Sequence, residues 1–570
     1  MLANKVYILG GAQTDFTRNW AREGLELFDM FREVVIEGLI ATGLEPEQIE
    51  VGHVGNFVAE RFCQQGLMGG FFGHVSPELR DIPTSRHEAA CASGSMAALA
   101  AMSDIQAGHY ELACVVGAEL MRNVPDWKSN LPLASADNRN YGLDGDITIS
   151  VVDNDRDGKI EPADGDSRTL YVGQRRGGYE YYALDITSPA SPKIKFTVRS
   201  GYSKAMTKFY NDEKVTILPN LGQTWSKPLV AKMWWGGTER RVLFFGGGYD
   251  EKHDNPNYAV NTIGQKGNTV YALDADTGAP ITGFATKMAS AGITNAVASN
   301  LTIIDLNNDA IADTIYVADV GGKIYRADLP QKGDTDNSKF QAGLIANVNS
   351  NGSNRKFFNK PDVVFTNYAG QKFGLIAIGS GYRAHPKNED TTDRMYVFYD
   401  KYINSRTFPN GGIVESELKD VTGPGAEGFA SIADIYPNNE GWYITLPKGE
   451  KVLSDSTTIN YRSFFTTYSP GDAEDACSPA TGSNKLYGIN ILDGAPIIDR
   501  FNNNDGTLDG FDRYAELDYI GIAPGITLLF PDDTSAAALV GTETIGAGDD
   551  WAEELGLKDT LTTIKWKQDK

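Results

Sequence analysis

The segment DLNNDAIAD, Asp305 to Asp313, places oxygen-bearing side chains at loop positions 1, 3, 5 and 9: Asp305, Asn307, Asp309 and Asp313. That spacing lets a tightly coiled loop turn its oxygens inward, and hard oxygen donors are what calcium requires. The backbone carbonyl of Ile311 would supply position 7. Ala310 stands at position 6, where the chain turns sharply and glycine is usual. Alanine can be forced there at a strain cost that weakens affinity. A second loop, DNDRDGKIEPAD, offers Asp153, Asp155 and Asp157, with Gly158 at position 6. Glu161 at position 9 or Asp164 at position 12 would close it. A third stretch, NNNDGTLDGFD, has Phe501 where its first ligand should stand and is set aside. No helical pattern flanks the first two loops, so neither is half of a paired helix–loop–helix unit. An Asx-rich turn that binds nothing has a similar composition. Calcium is nevertheless the expected cofactor of both.

A different chemistry is open to Cys91, in HEAACASGSMAALAA (87–101). The thiol falls between a strand-like run and a helical run beginning around Ala92. A helix N-terminus favours the thiolate, which is the nucleophilic form. His87, four residues earlier, could pair with it or be an ordinary surface histidine.

The elements that must position these groups have two textures. Up to about residue 125 the pattern alternates between strand and helix. VYILGG (6–11) is a short buried-strand run, and LELFDMFREVVIEGLIATG (25–43) has helical spacing that stops at Gly43. HVGNFVAE (53–60) is strand-like, SGSMAALAAMSDIQAG (93–108) is helical, and YELACVVGAELM (110–121) returns to strand. Such alternation predicts a sheet with helices packed on it. Beyond about Pro125, Tyr/Val/Ile strands alternate with Gly, Asp and Asn turns. A loose repeat recurs as TLYVGQRRGGYEYYALDI (169–186), RVLFFGGGYD (241–250), DTIYVADVGGKIYRADL (313–329), FGLIAIGSGYRAHP (373–386) and NKLYGINILDGAP (484–496). Repeated β units of this kind predict a propeller, in which each blade covers its neighbour's apolar face. The expected division is a partial α/β domain over 1–125, a junction over 126–145 and the propeller over 146–570.

Composition fits folded domains: 570 residues, 41% hydrophobic and 22% charged, with 61 glycines, 26 tyrosines and 25 phenylalanines. A net charge of -23 argues against a nucleic-acid groove, which needs clustered Lys and Arg. The cysteines, Cys63, Cys91, Cys114 and Cys477, form no C-x-x-C, so zinc, c-type haem and a dithiol redox site are unsupported. No apolar run is long enough to span a membrane. MLANKVYILGGAQTDF does not have the pattern of a secretory signal, so a cytosolic start is expected.

Several stretches resemble one family closely. YGLDGDITISVVDNDRDGKI, LYVGQRRGGYEYYALDIT, LFFGGGYD, GSGYRAHP, GWYITLPKGEKVLS and FFTTYSP look like the C-terminal propeller of PilY proteins, in order, over roughly 127–570. The closing LTTIKWKQDK also looks like that family's tail. The resemblance implies a periplasmic or surface protein of type IV pilus assembly and adhesion. Its partners would be pilins and minor pilins and a host or surface receptor. It also implies a regulatory calcium loop, which maps onto Asp305, Asn307, Asp309 and Asp313. Residues 1–125 resemble instead the N-terminal part of a sterol-carrier-type thiolase, through KVYILGGAQTDF and HEAACASGSMAALAA. That likeness would make Cys91 the acyl-accepting thiol. Thiolases also need a Gly-His-Pro and a Cys-x-Gly motif. The single His-Pro here, His385-Pro386, follows Ala384 within a propeller strand, and Cys477 is followed by Ser-Pro. Acyl transfer is therefore not expected, and the chain looks chimeric. A quinoprotein-type dehydrogenase, also a propeller, is a further alternative, disfavoured by the lack of an adjacent cysteine pair.

Overall fold

The structure, a computed structural model, describes residues 5–15, 18, 20, 23, 25–63, 65–120, 142–201, 214–255, 266–423, 429–471, 482–497, 510–529 and 536–548. The chain divides into two compact units, Met1–Tyr141 and Gly142–Lys570. No helix among the described residues is long and apolar enough to cross a membrane. Cys477, the 502–509 stretch and the C-terminal tail lie outside the described residues.

In the smaller unit, three parallel strands run in the order Thr84–His87, Val51–Gly55, Ala113–Gly117. The helix Leu27–Thr42 buries Leu27, Phe31 and Val35, one stripe at helical spacing, and Gly43 ends it in the left-handed conformation at φ 66°. A second helix, Ser93–Gln106, lies against the sheet through small residues, Ser93, Ala97 and Ala101. A Cβ on Gly55 would sit 2.6 Å from the backbone of Gly94, so this helix can approach only because residue 55 is glycine. The VYILGG run differs from expectation. It forms no strand, and Tyr7, Ile8 and Leu9 are exposed. No described strand pairs with it, and β-propensity without a ladder to join does not make a strand. Likewise only the first part of 53–60 is strand; Ala59–Phe62 is a helical turn.

In the larger unit the described residues form six consecutive sheets, mostly antiparallel. The first is Ile147–Val152, Ser167–Gly173, Glu180–Asp185, Lys193–Ser200 and Val215–Leu218. The third begins Thr302–Ile304, Thr314–Ala318, Lys323–Asp328 and Gln341–Asn347. Successive sheets pack through five apolar clusters, and the strands sort residues between them by parity. In the second sheet, Val242 and Phe244 face the third, while Leu243 and Phe245 face the first. In the third, Ile315 and Val317 face the second and Tyr316 and Ala318 the fourth. Both faces are buried because side chains alternate along a strand. This is the blade stacking of a propeller.

One polar device crosses a blade junction. Arg326, wholly buried, donates through Nη1 to Asp400 Oδ2 at 2.6 Å and through Nη2 to Asp328 Oδ2 at 3.0 Å. Tyr316 donates its hydroxyl to the same Asp400 oxygen at 2.7 Å. Removing one partner of a buried ion pair strands the other charge, at about 3–5 kcal/mol. Asp400→Ala is therefore expected to destabilise the larger unit by about 3 kcal/mol in denaturant titration. A loss under 1 kcal/mol would show that Arg326 finds its compensation elsewhere.

Candidate metal centre

Both acidic loops occupy the same place in their blades, the connection from first to second strand. Asp153–Asp166 links Ile147–Val152 to Ser167–Gly173, and Asp305–Asp313 links Thr302–Ile304 to Thr314–Ala318. Their backbones match position by position. Position 4 is left-handed in each, Arg156 at φ 60° and Asn308 at φ 61°, and so is position 6, Gly158 at φ 82° and Ala310 at φ 66°. The position-6 amide donates to the position-1 carboxylate: Gly158 N to Asp153 Oδ2 at 3.0 Å, Ala310 N to Asp305 Oδ2 at 2.7 Å. The position-7 amide donates to position 5: Lys159 N to Asp157 Oδ1 at 2.7 Å, Ile311 N to Asp309 Oδ1 at 3.0 Å. The position-5 amide meets position 3, Asp157 N to Asp155 Oδ1 at 3.2 Å and Asp309 N to Asn307 Oδ1 at 3.0 Å. These bonds aim the side-chain oxygens while leaving lone pairs for a cation.

The loops close differently from expectation at one residue. In the first, the position-2 amide of Asn154 donates to Asp166 Oδ1 at 2.8 Å, as Leu306 N does to Asp313 Oδ2 at 2.8 Å. Asp166 is therefore the counterpart of Asp313, each immediately preceding its second strand and each buried. Glu161 and Asp164 are exposed. The Pro162–Asp164 helical turn lengthens the loop, so the closing carboxylate comes two residues after Asp164. Asp153, Asp155 and Asp166 each bring an oxygen within 4.8 Å of the others, the one such acidic triplet among the described residues. The 305–313 loop, with Asn307 at its third position, has no equivalent carboxylate triplet at that spacing.

The electrostatics favour a cation in both. Burial, then the charges of Asp309 and Asp305, raise the Asp313 carboxyl despite the amide bonds it accepts from Leu306 and Asn307. For Asp155, the amide bond from Asp157 lowers the pKa, but desolvation, the charges of Asp157 and Asp166 and the hydrogen bond with Asp153 outweigh it, and the net shift is upward. Carboxylates that repel one another at close range lose that cost when a divalent ion binds.

Cys91 is exposed and lies in the single turn Ala90–Ala92, two residues before the helix begins at Ser93. Burial pushes the Cys114 thiol up to about 11. His87 is half-buried, not a surface residue, and its Nε2 lies 3.0 Å from His53 Nδ1 and 2.8 Å from Ser85 Oγ. His385 lies in the turn after Gln371–Gly379, not in a strand, and its Nε2 pairs with Asp254 at 2.9 Å. Asp254 also receives Arg176 and the Tyr249 hydroxyl, beside a cluster of Trp225, Tyr249 and Phe358 where the blades converge. Sequence spacing gave no sign of this cluster, because its members come from different blades.

Two families match the chain. Residues 134–385 match the PilY1 β-propeller domain, a span that contains both acidic loops, and residues 6–153 match the thiolase N-terminal domain. The larger unit resembles PilY; the smaller resembles thiolase. A type IV pilus biogenesis factor PilY1 homolog from Xylella fastidiosa is 24% identical over 386 residues, covering 64% of this chain and 24% of that protein. An acetyl-CoA acetyltransferase from Methanocaldococcus jannaschii is 33% identical over 134 residues, 23% of this chain and 32% of that enzyme. The crystal structure of the Pseudomonas aeruginosa PilY1 C-terminal domain aligns over 71% of this chain and 85% of that one, at 18% identity and a TM-score of 0.49. The chain thus spans about a quarter of the PilY1 homolog and a third of the acetyltransferase.

The shared position 6 yields a paired expectation. A Cβ on Gly158 would meet nothing within 4 Å, so Gly158→Ala costs its backbone strain, about 1 kcal/mol, less the lower freedom of unfolded alanine, a net loss of about 0.5 kcal/mol. Ala310→Gly relieves the same strain and, net of the greater freedom of unfolded glycine, stabilises by about 0.5 kcal/mol. Equal and opposite shifts in melting midpoint would verify the pairing. A loss of stability in Ala310→Gly would refute it.

Proposed function

We propose that the larger unit is a calcium-binding, non-catalytic propeller module of type IV pilus assembly and adhesion. The observation that carries the calcium part is the pair of matched acidic loops at one connection of two blades. In each, a buried aspartate closes the loop and backbone amides orient the remaining oxygens. Asp153, Asp155, Asp157 and Asp166 would serve one site, with the Lys159 carbonyl at position 7. Asp305, Asn307, Asp309 and Asp313, with the Ile311 carbonyl, would serve the other. Each set supplies hard oxygens in the number calcium needs, with water completing the shell. The pilus part rests on likeness to the PilY1 propeller and on those relatives being type IV pilus biogenesis factors. Pilins or minor pilins and a surface receptor are the proposed partners.

Calcium should raise the melting temperature of the full chain, because an ion bound only by the folded state stabilises it by about 2.7 kcal/mol per site at 100 times Kd. Asp309→Ala and Asp155→Ala should each remove part of the shift, and the double variant all of it. A melting curve unmoved by saturating calcium in the unaltered protein would remove the metal assignment. Adhesion and partner binding are tested separately, by calcium-dependent capture of purified minor pilins.

The effect should depend on pH in a definite direction. The ion needs Asp313 and Asp155 ionised, and both carboxyls are raised in its absence. Without calcium their ionisation opposes folding above the folded pKa, and that cost is relieved as pH falls through it. Calcium stabilisation should therefore be full at pH 7 and decline toward pH 4. A calcium shift that grows on acidification would contradict these ligands.

A further inference from the structure

The smaller unit holds a polar cluster that neither the thiol nor the calcium loops use. Parallel pairing sets His53 opposite Ser85 and Gly55 opposite His87. Alternation along each strand then puts His53, Ser85 and His87 on one face of the sheet. Three atoms meet there: His53 Nδ1 lies 3.0 Å from His87 Nε2 and 3.0 Å from Ser85 Oγ, and Ser85 Oγ lies 2.8 Å from His87 Nε2. His53 is 3% exposed, while Ser85 and His87 are half-buried, so the triangle is anchored on one side and reachable on the other. The other ring nitrogen of His53, Nε2, faces Asp104 Oδ2 at 3.3 Å. Asp104 comes from the helix that the Gly55–Gly94 contact holds close to the sheet.

We propose that His53, His87 and Ser85 form a binding site for a late first-row divalent ion such as zinc, with Asp104 orienting His53. Imidazole nitrogen suits zinc, copper and nickel better than the hard ions that the acidic loops would take. Ligands about 2.0–2.1 Å from a tetrahedral ion lie about 3.3 Å apart, so the observed triangle has to open by only a few tenths of an ångström. A carboxylate on the far nitrogen of a metal-bound histidine fixes the tautomer and the ring plane, and Asp104 stands in that position. With the Asp104 side of His53 protonated, its Nδ1 lone pair points into the triangle, as a ligand's must. The fourth position opens on the half-buried side and is left for water or a small ligand.

The test uses the full chain, stripped of metal with a chelator and titrated with zinc against a chromophoric competitor. Cobalt absorption reports the ligand set. One zinc per chain should bind to the unaltered protein. His87→Ala should weaken it at least tenfold, and Asp104→Asn by about 10–100-fold. Cys91→Ser, and the Asp155→Ala/Asp309→Ala pair, should leave zinc affinity unchanged. Because His53 is buried, Ser85→Ala and His87→Gln serve as milder variants, each verified as folded by its unchanged metal-free melting curve. If zinc binds the folded His87→Ala and Ser85→Ala variants as tightly as the unaltered chain, the triangle is a hydrogen-bonded cluster only and the proposal is overturned. Loss of zinc on Cys91→Ser would overturn it too, by placing the metal on the thiol.

Discussion

The middle strands of the larger unit are apolar on both faces, and each sheet must be covered twice. Val242 and Phe244 cannot be buried by the sheet that buries Leu243 and Phe245, so a single partner never suffices. Serial stacking answers this, since each sheet is both cover and covered. Polar groups are thereby driven to strand ends and connections, where water or a neighbouring turn can satisfy them. Exceptions inside the stack are matched with care. Arg326 has a carboxylate on its own strand, another from the next blade and the Thr407 carbonyl, so its charge is buried with every donor edge engaged.

The acidic loops follow from the same constraint. Asp166 and Asp313 each precede a strand whose next residues enter the inter-blade core, which explains why both are buried while the loop tips stay in water. Burial of the closing carboxylate fixes the loop to the blade, and at Asp313 it also raises the cost of ionisation. A site built this way couples occupancy to the stability of the strand that follows. A cation bound at the tip, as proposed, would be held against the end of a core strand.

Much of this was legible from residue order, and the failures have physical causes. Runs such as RVLFFGGGYD and FGLIAIGSGYRAHP announced repeated strands followed by glycine turns, and the structure buries both faces of those strands. The 1-3-5 spacing located both loops. The closing residue of the first was missed because counting to position 9 or 12 presumes a loop of fixed length, and Pro162–Asp164 inserts a helical turn before Asp166. The contact between His53 and His87 was hidden for another reason: it depends on strand register across 34 residues, which spacing along the chain cannot reveal. VYILGG had strand composition but pairs with no strand among the described residues, and composition alone does not supply a ladder.

The two units solve burial in different ways, and this bears on what each can carry. In the larger one, repetition supplies a cover for every face, so loops can vary while the stack persists. In the smaller one, the helix Ser93–Gln106 presses Ser93, Ala97 and Ala101 inward to reach the sheet, and its larger residues Met96, Leu99 and Met102 are turned outward. Small residues allow the close approach that brings Asp104 to His53 and leave Cys91 in the exposed turn ahead of the helix. The same glycine contact therefore places both chemically able groups of this unit, thiol and histidines, at fixed points on one helix–sheet junction. A bulky residue at Gly55 would lift the helix and separate Asp104 from His53 without touching either.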